Sequence, residues 1–463
     1  METPNSWTTI VENLADAARA GEHEAFFAAG QRLADSFVNA TREDLDAAVV
    51  LLAPVLTEAR GSLGGTLAQY IGSLVGMDGD ATPVLDTLVE RACTALDSTH
   101  LFVSLHEELV GPVPDRDDCG DREYEAFVSA AAHHISDPGR VAGGWMNATS
   151  WVQPVLVLLQ RADVRRSLPQ KERLTAAAIA AHDLLPDLAP WMLGLLRILD
   201  DDTVIVLHRE TGVGFRATIT GVADNFQLHT LLAAQVLPLL PAPRQGLFRR
   251  RDTGRLPDVP TSAMVAAADG SGEYAPEGGI VGQFNLVDAA GDWIWNEGRP
   301  DDIPLVDGVR VVVLDPPPYQ RGWDSGRAYP LLRARVEVAP LPTAEATAWL
   351  SRVAPSKTFS ETTSTAAPEW TGDMTVPLPT GRDVAGLVAR VQALVEDGTT
   401  DLETEATVAR EFSLTSDDAA LVVGRFHGGA ARAATGNEAN LPDPAKDPIA
   451  YESYRQALQR TET

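Results

Sequence analysis

Thr203-Val-Ile-Val-Leu-His208 and Phe215-Arg-Ala-Thr-Ile-Thr220 are β-branched runs joined across Glu210-Thr-Gly-Val-Gly214, a pattern that predicts a β-hairpin. This stretch decides the fold because the grammar of the chain changes there. Residues 1–202 read as helix after helix, with almost no strand signal. After the hairpin, Asp224-Asn-Phe-Gln227 predicts the capped start of a helix running to Leu237, with Leu228, Leu231, Leu232 and Val236 as its buried stripe. A second hairpin is expected from Phe284-Asn-Leu-Val287 and Trp293-Ile-Trp-Asn296. Val309–Leu314 reads as a strand buried on both faces, stopped by Pro316-Pro-Pro318, and Arg333–Val338 as an edge strand. The order predicts a small antiparallel or mixed sheet with a helix on one face.

The expected class is therefore α+β and multidomain. A helical domain covers 1–202, an α+β domain with two hairpins 203–340, a Ser/Thr/Pro-rich linker or arm 341–381, and a small helical unit 382–463. Within the first segment, helices are expected over Glu22–Asn39, Leu63–Val75, Pro83–Leu96, Leu101–Val110, Asp121–Ile135, Trp151–Arg165, Gln170–Leu185 and Leu188–Leu199. Thr41-Arg-Glu-Asp44 has the form of a capping box. Leu45-Asp-Ala-Ala-Val-Val-Leu-Leu52 recurs loosely as Leu85-Asp-Thr-Leu-Val-Glu-Arg91, and Tyr70–Gly76 as Leu105–Gly111. That spacing suits HEAT-like helical hairpins, and an irregular bundle would show similar periodicity.

Charge is uneven along the chain. The net charge is −28, and residues 1–202 hold most of it, with 31 acids against 14 bases. Such a surface repels phosphate backbones and anionic lipid heads, so neither nucleic acid nor membrane is expected as a partner. No apolar run reaches the roughly 18 residues a membrane span needs, and Met1–Trp7 lacks the pattern of a secretory leader. A cytoplasmic location is expected. Arginine far outnumbers lysine (Lys171, Lys357 and Lys446), as in proteins of GC-rich bacterial genomes. Cys93 sits in an apolar helical frame and reads as core, while Cys119 lies among acids that disfavour a thiolate.

The P-loop, zinc-protease, nucleophile-elbow and EF-hand patterns are all missing from the sequence. The strongest candidate site is Trp293-Ile-Trp-Asn-Glu-Gly-Arg-Pro-Asp-Asp302. In a strand, Trp293 and Trp295 share a face, and Asn296, Glu297, Asp301 and Asp302 follow, as an aromatic platform with carboxylates would require. Against this stands a structural role, with the indoles in the core and the acids capping turns. Asp224, His208 and His229 form a weaker set that a metal would need to bring together, and no metal or cofactor is expected. His106-Glu-Glu108 reads as a solvated helix face. Arg249, Arg250 and Arg251 oppose the overall charge and are a candidate for an anion or the acidic face of a partner.

These readings lead to one main expectation, a non-catalytic cytoplasmic interaction or accessory protein that binds a peptide or protein partner. The alternative is an enzyme, or a degenerate one, with a carboxylate- and Trp-lined pocket between the helical and α+β regions.

Overall fold

The computed structural model describes residues 6–59, 61–116, 119–241, 259–274, 279–318, 321–324, 326–358, 384–396, 399, 401–412, 422–423, 426 and 452–453. The chain divides into two compact units, Met1–Ala367 and Pro368–Thr463. The class is α+β.

The first unit opens with helices α1 (Trp7–Ala20), α2 (His23–Ser36), α3 (Arg42–Glu58), α4 (Gly61–Gly76) and α5 (Leu85–Leu109). It continues with α6 (Asp121–Ala131), α7 (Pro138–Met146), α8 (Ala148–Leu158), α9 (Ala162–Arg166), α10 (Lys171–Ala180) and α11 (Ala189–Leu196). The capping box at α3 forms as the sequence predicts: the Thr41 hydroxyl accepts from Asp44 N, and Asp44 Oδ2 accepts from Thr41 N at 3.0 Å. The expected break between Pro83–Leu96 and Leu101–Val110 is absent, because Ser98 and Thr99 are buried inside the continuous helix α5. Trp151–Arg165 is instead two helices, α8 and α9.

Helix α4 packs most closely on α8, a partner far along the chain. Its sequence explains the pairing. A Cβ on Gly65 would lie 2.7 Å from Ser150 Cβ, on Gly64 3.0 Å from the Trp151 ring, on Gly72 3.0 Å from Pro154 Cα, and on Gly76 3.0 Å from Val157. Each glycine costs about 1 kcal/mol of helix propensity against alanine. The close approach they permit offsets that by burying Leu67, Ile71, Leu74 and Val75 against Val152, Val155 and Leu158 in one core.

A separate aromatic core joins α5, α6 and α7. Phe102 stacks on Trp145 at 4.1 Å and lies 4.4 Å from Phe127. His106 belongs here. It is buried, lies tilted 5.3 Å from Phe102 and makes a 2.9 Å hydrogen bond through Nδ1 to Gly111 O, so the solvated face read from its neighbours Glu107 and Glu108 is corrected. Cys93 is core, its thiol pushed up to about 11 by burial.

The hairpin appears as β1 (Asp202–His208) and β2 (Val213–Thr220), followed by α12 (Asn225–Val236) and α13 (Ser262–Asp269). The strands β3 (Gly279–Val281), β4 (Asn285–Val287), β5 (Leu305–Val306), β6 (Val309–Asp315), β7 (Gly322–Asp324) and β8 (Arg335–Pro340) complete the set. The main sheet runs β4-β6-β1-β2-β8, with β5 also paired to β6; β1 and β6 are parallel and the other pairs antiparallel. It is therefore mixed, with β8 at an edge as expected. Strand β6 is buried on both faces: Val312 and Leu314 face α12, and Val311 and Val313 face the opposite core. β3 and β7 form a separate two-stranded ribbon.

The second face of the sheet is covered by α14 (Thr343–Leu350), whose Trp349 and Leu350 join Ile205, Leu207 and Val313. Helix α14 lies in the opening part of the segment assigned to a linker or arm. The chain after it is strapped down, with Ala354 N donating to Ala289 O at 2.9 Å and Lys357 N to Gly291 O at 2.8 Å. In the second unit, α15 (Val384–Glu396) and α16 (Asp401–Phe412) bury Leu387, Val388, Val391 and Val408 with Val422, Val423 and Phe426.

Candidate functional site

Trp293 does not extend a full second hairpin; it makes a single β-bridge to Val287. Alternation nevertheless holds. Trp293 and Trp295 share the α14 face with ring centroids 5.9 Å apart, while Ile294 enters the α12 face. The platform is largely roofed, since Trp293 is only 9% exposed and packs with Trp349, Leu350 and Val353. Its indole Nε1 donates to Lys357 O at 2.8 Å, and Lys357 Nζ reaches Asp292 at 2.6 Å.

The polar residues that follow are tied to architecture. Asn296 O accepts from Phe226 N at 3.1 Å, and Gly298 O accepts from Asn225 N at 2.9 Å. Together with Asp224 Oδ1, which accepts from Gln227 N at 2.8 Å, they satisfy the first N–H groups of α12. Gln227 reaches back four residues, its Oε1 accepting from Ala223 N at 2.7 Å. Burial raises the Asp224 carboxyl, against the lowering effect of the helix N–H groups of Gln227 and Phe226 and of Arg299. Asp301 and Asp302 both pair with Arg197 at the end of α11. Glu297 is exposed. Asp224 and Asn296 thus meet at the start of α12, while Trp293 and Trp295 lie on the other face of the sheet.

His229 is fully buried on the α12 face. Its Nε2 accepts from Phe284 N at 3.2 Å, which leaves the proton on Nδ1. Burial first, and Arg321 second, push its pKa down to about 3, so the ring is neutral. That Nδ1 is buried with no hydrogen-bond partner, as are Arg321 Nε and Trp323 Nε1. Each such group costs about 1–3 kcal/mol when left unpaired. The His229 and Trp323 rings meet edge to face at 4.8 Å, and the Arg321 guanidinium lies 6.0 Å from the indole. His208 and His229 flank Phe284, at 5.9 and 6.0 Å. Among the described residues no three His, Cys, Asp or Glu side chains converge to hold an ion, so Asp224, His208 and His229 do not form one site.

Arg321 and Trp323 escaped the sequence reading, because β7 is three residues long and carries no period. Arg249, Arg250 and Arg251 lie outside the described residues.

The helical region carries a different feature. A cleft of about 390 Å³ opens between α4 and α8, lined by Gln69, Gly72, Ser73, Gln153, Val157 and Leu188. Val157 and Leu331 both close on Gly76. Leu331 is exposed, as is Met77 next to Gly76; Trp191, exposed too, packs edge to face on Tyr329 at 5.4 Å.

Comparison with protein-family models, curated proteins and solved structures gives no match to this chain. The functional reading rests on its own residues.

Proposed function

We propose that the protein is a non-catalytic, cytoplasmic interaction or accessory protein that binds a peptide or protein partner on its helical region. The observation that carries the reading is the apolar cleft between α4 and α8, continued past Gly76 by exposed Met77 and Leu331. Its volume suits one or two anchoring side chains, and large apolar groups left in solvent beside it are typical of contact surfaces. The acid excess of residues 1–202 favours a partner whose anchor is flanked by basic residues. None of the described helices is long and apolar enough to cross a membrane.

The test is an exchange of Val157 and Leu331 for aspartate, with helicity checked by circular dichroism. A partner that co-purifies with the native protein should be lost from the folded V157D/L331D variant. Undiminished recovery would sink the reading.

The alternative, an enzyme or degenerate enzyme with a pocket between the helical and α+β regions, draws on one specific observation. Half-buried Asp224 and Arg299 and buried Tyr329 meet where α11 adjoins the start of α12; burial pushes the Tyr329 hydroxyl up to about 12, and it donates to Trp191 O at 3.1 Å. Perturbed groups of this kind mark catalytic sites as well as structural networks. Native mass spectrometry separates the readings: a retained small molecule favours the enzyme, a bound polypeptide the accessory role.

A further inference from the structure

We propose that His229, Arg321 and Trp323 form a binding site for a small carboxylate, at the end of the sheet where β1 and β6 finish and β4 begins. The three side chains come from α12 and from β7 with the residue before it, and they share one contact shell: indole and imidazole 4.8 Å apart, guanidinium 6.0 Å from the indole. Each carries a buried N–H without an acceptor, at His229 Nδ1, Arg321 Nε and Trp323 Nε1. The cluster is made of donors only. Arg321 spends one terminal nitrogen on Phe284 O at 3.1 Å and makes no ion pair among the described residues, although the chain as a whole is strongly acidic.

Three donors around one uncompensated cation call for an oxygen acceptor with a single negative charge. His229 is neutral, so Arg321 supplies the only full charge, enough for a carboxylate and half what a phosphate dianion requires. The rings of Phe284 and Trp323 stand 6.0 and 4.8 Å from the His229 ring, which restricts the proposed ligand to a short acyl group. Access is along β7, where Arg321 and Trp323 are half-buried and Gly322 between them is exposed. The other explanation of the unpaired Nδ1–H is that it points into the indole face, and the experiment separates the two.

The full-length, ¹⁵N-labelled protein is titrated with sodium acetate, with inorganic phosphate and with chloride at constant ionic strength. The His229 imidazole and Trp323 indole resonances are followed, the latter assigned with W323F. Acetate should shift both saturably, and chloride should not. R321Q should weaken acetate by about tenfold or more, the loss of one charge-assisted hydrogen bond. R321K, which keeps the charge and loses the Nε donor, should lie between the two. The proposal is overturned if acetate leaves both resonances unmoved, if phosphate saturates where acetate does not, or if R321K and R321Q bind acetate as tightly as the native protein. Should R321Q not fold, the comparison of R321K with the native chain decides alone.

Discussion

Arg197 donates through Nε to Asp301 at 2.7 Å, and through a terminal nitrogen to Asp302, joining the last helix of the helical region to the turn before β5. The arginine is 44% exposed, so solvent screens the pair and its worth is about 1 kcal/mol. Burial raises the Asp301 carboxyl, and Arg197 is the chief influence drawing it back. R197A should therefore cost somewhat more than the pair itself, about 1–2 kcal/mol, because it leaves two neighbouring carboxylates without a cation. D301N/D302N in the R197A background should recover part of that loss. Urea unfolding of the three proteins checks both statements.

Gly72 presents bare backbone to Pro154, and a Cβ there would stand 3.0 Å from Pro154 Cα, an atom that cannot swing away. G72V should destabilise the unit by about 1–3 kcal/mol through overpacking. It should also distort the cleft wall that Gly72 and Pro154 share, so partner recovery should fall in the same variant. A G72V protein with unchanged thermal midpoint would contradict the close helix contact.

Local signals explain what the sequence disclosed. The β1–β2 hairpin, the Thr41 capping box and the Asp224 cap are each contained within a few residues, so their chemistry is visible without tertiary knowledge. The edge position of β8 was legible from its alternation alone. What remained hidden depends on contacts made at a distance. His106 is buried because Phe127 arrives from α6. Ser98 and Thr99 looked like a helix break until their burial in α5 is seen. The Trp293–Trp295 pair was readable as a shared face, whereas its roof by Trp349 and Val353 came from a segment whose Ser/Thr/Pro composition suggested an arm. The donor cluster of His229, Arg321 and Trp323 joins elements too short or too far apart for any periodic pattern.

Asp224 is both a helix cap and a half-buried carboxyl, and its two roles pull in opposite directions. The cap contributes about 1 kcal/mol. Burial raises the carboxyl above its ordinary 3.8, so the folded state prefers the proton. Stability from this residue is therefore fully present below the unfolded value and is lost as pH rises from there through the raised folded value. D224N keeps a capping oxygen and carries no charge. At pH 7 it should be at least as stable as the native protein, while D224A should lose about 1 kcal/mol or more. Thermal denaturation of the pair at pH 7 tests this, and a D224N protein as unstable as D224A would refute the account.

His229 gives the protein an acid sensitivity with a defined window. An unfolded histidine takes up a proton near 6.5, while in the folded protein burial, reinforced by Arg321, holds the value down to about 3. Between those limits the unfolded chain binds a proton that the folded chain does not. Stability from this group is thus complete above about 6.5 and falls as pH drops, by about 1.4 kcal/mol for each pH unit while the difference persists. Asp224 opposes this trend, from its unfolded value of 3.8 up to its raised folded value, and His208, also lowered by burial, adds to it; both are common to the native and H229F proteins, so the difference between the two isolates His229. H229F removes the titrating ring and the acceptor for Phe284 N together. It should be less stable at pH 7, by about 1–3 kcal/mol for the backbone N–H left unpaired. Its loss between pH 6 and 5 should nonetheless be shallower than that of the native protein. Urea midpoints measured at several pH values across that interval supply the comparison. Parallel pH profiles for the two proteins would show that His229 is protonated in the folded state, and with it would go the neutral-ring argument for the carboxylate site.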